Sequence, residues 1–168
     1  DAATFQEKTA EGNTVNTLLK KQRLVLSAAD KILTTFGPDK GLIQEPEIGL
    51  VMASESVVAH DMVSLAWLLE NRLAVPSSEK EGFKDPYRSQ LMVSVANHWV
   101  LNKLGGLGPA FDSERLTRND INTIWDDRVL NRAYQVFGSV PAVVLEPAND
   151  GVPQALKRRL SERTSSPA

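Results

Sequence analysis

The feature that most constrains this chain is the junction at residues 48–56, where a short apolar run stops and a long helix-period segment begins. Ile48 to Ala53 is apolar, six residues long and closed by Ser54. That length suits a buried strand better than a helix. Ser56 then stands as a helix N-cap, and the spacing predicts a helix through Leu73. A similar alternation precedes it: residues 14–22 read as a short helix and Leu24-Val25-Leu26 as a second buried strand. Between the two apolar runs, Gly37-Pro38-Asp39-Lys40-Gly41 is a turn, because two glycines and a proline within five residues interrupt either regular period. Strands separated by helices predict an α/β fold, a single domain in which several long helices flank a short mixed sheet.

Downstream, Pro76 to Pro86 reads as a charged surface loop, and a second long helix fits Tyr87 to Leu104 before Gly105-Gly106 stops it. Thr117 with Asp120 is expected to open a third helix reaching Val136, with Gly138 as its end. Ala142 to Leu145 reads as a strand between Pro141 and Pro147, and Pro153 to Arg163 as a basic terminal helix. The expected organisation is a polar segment over 1–13, one domain over 14–163 and a frayed tail over 164–168. With 168 residues, 42% of them hydrophobic, one core of ordinary size can close.

Charge and composition remove several classes of function. Nineteen basic against 21 acidic residues leave a net charge of −2, without the positive field that phosphate-backbone binding needs, so no nucleic acid is expected as partner. No apolar run approaches the roughly 18–20 residues of a membrane span, which predicts a soluble protein; the compartment is open, with the cytoplasm favoured. The absence of cysteine excludes disulfides, thiolate zinc, a cysteine nucleophile and a cysteine-ligated iron–sulfur cluster within this chain. Any other cofactor is left open.

The stretch from Gly37 to Asp61 also carries a family pattern. A Gly-Pro-x-x-Gly turn is followed by an apolar strand ending in Ala53-Ser54 and a helix opening Ser56-Val57-Val58-Ala59-His60-Asp61. In this the chain resembles the C-terminal half of domain of unknown function, family 362, with Ala53, Ser54, Val58, Ala59 and Asp61 in register and Asp30 in place of the family's aspartate before the turn. Ser56, Val57 and His60 stand where the family usually has Asp, Pro and Leu. The resemblance spans about residues 14–72. It implies an α/β fold and no defined activity, and the ferredoxin-type segment of many relatives has no counterpart in a chain without cysteine.

Two groups of polar residues stand out on the expected helices. At 100° per residue, Ser56, His60, Ser64, Trp67 and Asn71 share one sector, while Asp61 falls among Val57, Leu65 and Leu68 in the apolar sector. A buried Asp61 must accept hydrogen bonds, pair with a cation, bind a metal or hold a proton; bracing the Gly37–Gly41 turn and a catalytic role are both open. On the second long helix Gln90, Ser94, Asn97, His98 and Asn102 gather opposite Met92, Val93, Ala96 and Val100, which fits either an interhelical network or a ligand-lining face. His60-Asp61 lacks the upstream histidine of a metal-dependent phosphohydrolase, so no metal is expected.

The expected site therefore lies where the turn, the strand end and the helix start converge, a place suited to a small-molecule or anionic ligand. Gly37, Pro38, Gly41, Ser54 and Ser56 are the candidate binding residues. Asp61, Asp30 and His60 are the candidate catalytic ones. The alternative is a non-catalytic module that docks to an absent N-terminal or iron–sulfur portion, or forms a homo-oligomer.

Overall fold

A computed structural model of the chain describes residues 5–34, 42–75 and 121–166, together with Val95, Trp99 and Lys103. In order these form α1 (Phe5–Gly12), α2 (Asn16–Lys21), β1 (Val25–Ala29), β2 (Ile32–Leu33), β3 (Ile43–Gln44), β4 (Leu50–Ser54), α3 (Val57–Leu73), a single 3₁₀ turn (Ile124–Asp126), α4 (Arg128–Phe137) and α5 (Gln154–Thr164). The fold is α/β, with two small antiparallel ladders, β1 with β4 and β2 with β3.

In the larger ladder Val25 faces Ser54, Ser27 faces Met52 and Ala29 faces Leu50. Side chains of period two sort the faces: Val25, Ser27, Ala29, Leu50, Met52 and Ser54 turn inward, while Leu26, Ala28, Val51 and Ala53 are exposed. Against the inner face lies α3, the central helix, whose neighbours are β4, α4 and α5. Because α3 has protein on several sides, its buried residues run round most of the helix, with Met62 and Ala66 fully enclosed and Val58, Trp67 and Leu69 nearly so. Ile124, Leu130 and Ala133 around α4, and Leu156 and Leu160 on α5, complete the core.

Local chemistry explains most element ends. Ser56 caps α3 by accepting the Ala59 N–H at 3.2 Å. Gly138 ends α4 in the left-handed region at φ 81°. The start of that helix differs from the expectation at Thr117 and Asp120, which lie outside the described residues. Its cap is Asp127, whose Oδ1 accepts the Leu130 N–H at 2.7 Å. Just before it, Asp126 accepts the Thr123 N–H at 2.8 Å and closes the 3₁₀ turn.

Two further expectations are adjusted. The polar N-terminal stretch contains α1, held on α4 by Glu7–Arg128 and by Glu11–Arg132 at 2.7 Å, with Ala10 buried beneath. These partners stand 121 residues apart, beyond any local pattern. Ala142 to Leu145 keeps a strand-like alternation of burial, from Pro141 to Leu145, yet among the described residues it joins no ladder. Of the second long helix, Val95, Trp99 and Lys103 are helical, and Lys103 Nζ lies 5.8 Å from the Trp99 ring centroid. Its remaining residues, with Gln90, Ser94, Asn97, His98 and Asn102, lie outside the described residues, as do the charged loop over 76–86 and Gly105-Gly106.

Candidate functional site

The junction that opened the sequence reading is built as a chain of hydrogen bonds. Ser54 ends β4 and its Oγ accepts the Ser56 N–H at 3.1 Å; Ser56 in turn caps α3. Beside this junction opens a cleft of about 680 Å³. One wall is β4 from Leu50 to Ser54, with Glu55 and Ser56 continuing it. Ala59, His60 and Val63 of α3, with Lys157 and Leu160 of α5, form the floor. Opposite β4 runs the extended segment Pro141–Pro147, and Val152 closes the lining.

His60 is buried, and its Nε2 lies 3.0 Å from Ser27 Oγ on β1. Ser27 faces Met52 across the ladder, so the pair fixes the imidazole over the inner face of the sheet with its position along β4 set. Lys157 is half-buried, with no carboxylate within ion-pair distance among the described residues. Glu55 and Glu146 at the rim are exposed. The lining is thus mostly aliphatic, with two hydroxyls, one imidazole, one ammonium and, exposed, the two carboxylates.

The polar, uncharged sector of α3 does not face water as a solvated surface would. His60, Trp67 and Asn71 are buried, Asn71 donating to the Trp67 carbonyl at 2.8 Å. Ser64 Oγ and Trp67 Nε1 are buried without a hydrogen-bond partner. Asp61 is the reverse. Expected in the apolar sector, it is exposed. Its inner side is still crowded, so burial raises its carboxyl above the ordinary 3.8, with His60 pulling it down and Asp127 pushing it up.

The candidate residues therefore separate. Ser54, Ser56 and His60 meet at the cleft. Asp30, exposed and accepting the Lys31 N–H at 3.0 Å, lies opposite Gly49 at the far end of the ladder. That is about 17 Å along the strand from Ser54 at the usual rise per residue. Asp61 points away toward the Asp127 side of α3 and is not part of the lining. Gly37, Pro38 and Gly41 lie outside the described residues. Among the described residues no three of His, Cys, Asp or Glu are grouped to hold a metal, and no helix is long and apolar enough to cross a membrane.

Met52, Val143, Leu145, Lys157 and Leu160 of the cleft, and Ser27 that holds His60, are not among the candidates named from sequence. For the 141–147 wall a signal existed in the two prolines that bracket an apolar run; for Lys157 there was none, since a lysine in a basic terminal helix reads as a helix-end charge. Comparison with family models, with curated proteins and with solved structures finds no match to this chain.

Proposed function

We propose that the chain is a binding domain that takes a small molecule bearing an anionic group in the cleft between β4 and Pro141–Pro147. The single observation that carries this is Lys157, a half-buried ammonium without an acidic partner among the described residues, set in a mostly aliphatic cleft of about 680 Å³ whose two carboxylates, Glu55 and Glu146, are exposed. A charge in such a place favours an anion from outside. Ser54, Ser56 and His60 add the directional groups that fix a ligand's orientation. Asp61 and Asp30 stand away from the cleft and have no part in this reading. Membership of domain of unknown function, family 362 is part of the same proposal; it rests on the Gly37–Asp61 pattern and adds no chemistry of its own.

The test is a thermal-shift panel of carboxylates, phosphates and their uncharged analogues on the intact protein. An anion that binds the folded state raises the melting temperature by mass action, and Lys157→Ala removes the rise while the unliganded melting temperature holds. No response to any member of the panel removes the reading.

A second reading, a module that docks or self-associates, is favoured by a separate observation. Val15, Leu18, Leu19, Leu24, Leu26 and Val51 are all exposed large aliphatics, and Leu26 and Val51 share the outer face of the β1–β4 ladder. Light scattering coupled to size exclusion reads the oligomeric state directly, and Leu26→Glu should convert an oligomer to monomer.

A further inference from the structure

Both walls of the cleft are lined by consecutive residues. Leu50, Met52 and Ser54 point to one face of β4 and Val51 and Ala53 to the other, yet all five border the cleft, and every residue from Pro141 to Pro147 borders it too. A pocket lying on the face of a strand is lined by every second residue. Lining by both parities means that the cleft runs along backbone edges.

Among the described residues those edges are open. β4 pairs with β1 on one side only, and in an antiparallel pair alternate residues turn their N–H and C=O groups away from the partner. Among the described residues no backbone hydrogen bond reaches 141–147, and none joins that segment to β4. The β4 strand and the 141–147 segment therefore line one cleft with unused backbone donors and acceptors. A strand in a sheet occupies roughly 4.8 Å by 10 Å by 3.3 Å, or about 160 Å³ per residue. The cleft of about 680 Å³ then holds a stretch of about four residues.

We infer that the ligand of this cleft is an extended peptide carrying a carboxylate, which inserts as a strand along the free edge of β4 and against Pro141–Pro147, with Lys157 meeting the carboxylate. The inference rests on the proposed reading of the cleft as an anion-accepting ligand site and names the ligand's class. Main-chain hydrogen bonds to the open edges hold the peptide without regard to its sequence. Alternate side chains drop onto the floor made by His60, Val63 and Leu160, which favours aliphatic residues there. The unpaired ammonium of Lys157 sets the sign of the charge, and the exposed Glu55 and Glu146 stay in water at the rim.

The experiment uses the full chain and a fluorescein-labelled hexapeptide of alternating valine and threonine with a free C-terminal carboxylate, read by anisotropy. Beside it run the same peptide N-methylated at alternate amides in each register, its C-terminal amide, and hexanoate as a small aliphatic carboxylate read by thermal shift. The free peptide should bind saturably, and at least one N-methylated register should bind about tenfold more weakly, the effect of losing one or two main-chain hydrogen bonds. Amidation of the peptide and Lys157→Ala should weaken binding and not add to one another. Val144→Pro deletes a wall N–H that bonds to nothing described in the free chain, at an exposed position, so it should weaken the peptide while leaving the melting temperature unchanged. If hexanoate raises the melting temperature and the peptide does not bind, or if both N-methylated registers bind as well as the parent, the strand inference is overturned and the anion site stands. If neither hexanoate nor the peptide registers, both fall.

Discussion

At the scale of single residues the most informative position is Asp61. Its folded carboxyl is raised, first by burial of its surroundings, so ionising it at neutral pH costs more in the native state than in the unfolded chain. Asp61→Asn should therefore stabilise the protein at pH 7 by less than about 1 kcal/mol once solvent screening is allowed for. The gain should fade as pH falls into the ordinary carboxylate range, where the native carboxyl is already protonated. Loss of stability on this substitution, by thermal melts from pH 3 to 7, would overturn the assignment of Asp61 as an uncompensated surface charge. Tyr134 offers a parallel case: its hydroxyl is buried without a partner, and desolvation, helped by Asp127, pushes its titration up to about 12. Removing an unsatisfied hydroxyl while keeping the ring against Trp125 should be neutral or stabilising, so Tyr134→Phe is expected to gain about 0–1 kcal/mol in urea titration. His60 shows what was legible at this scale. Its polar sector on α3 was visible from spacing, but not that this sector faces inward, because a helix wheel orders residues around an axis without saying which side the sheet lies on.

Among elements, the packing of α5 on α3 depends on one carboxylate. Glu70 on α3 accepts from Arg159 Nε at 2.9 Å and from Arg163 Nε at 2.5 Å. Burial alone pushes Glu70 up, yet Arg163 and Arg159 together outweigh it and hold the carboxyl below its ordinary 4.5. A depressed folded value means a stabilising contribution that is complete above the unfolded value and disappears as pH falls through the folded one. Glu70→Gln should cost about 1 kcal/mol near pH 7, a magnitude typical of a charge-assisted pair that is only partly enclosed. The cost should fade as pH falls below the ordinary 4.5 and through the lowered folded value, and a pH-independent cost in thermal melts would refute the ion-pair account. The starts of α3 and α5 and the end of α4 were readable because their signals are local: Ser56 before Val57, Pro153 before Gln154, Gly138 after Phe137. The wall at Pro141–Pro147 was readable as extended backbone but not as unpaired, since pairing is decided by what stands beside a segment and not by its own residues.

The whole molecule divides into a well-covered half around α3 and a thinly covered flank. The α/β class followed from alternating short apolar runs and helix-period segments; which strands pair did not, because β1 meets β4 across an intervening β2–β3 ladder. The flank is most open at α2, which buries none of its residues yet links α1 to β1. α1 itself stays on α4 through Glu7–Arg128, Glu11–Arg132 and the buried Ala10, none of which requires the α2 link to be intact. Limited trypsin treatment should therefore nick the chain first after Lys20, Lys21 or Arg23, all exposed, and the released N-terminal piece should remain attached at low ionic strength. Raising salt to about 1 M shortens the screening length to about 3 Å and should shed that piece on size exclusion. A chain that can be cut at α2 without losing its first helix is in effect two polypeptides already complementary to each other. Expressing residues 1–20 and 21–168 separately and mixing them should rebuild the same molecule.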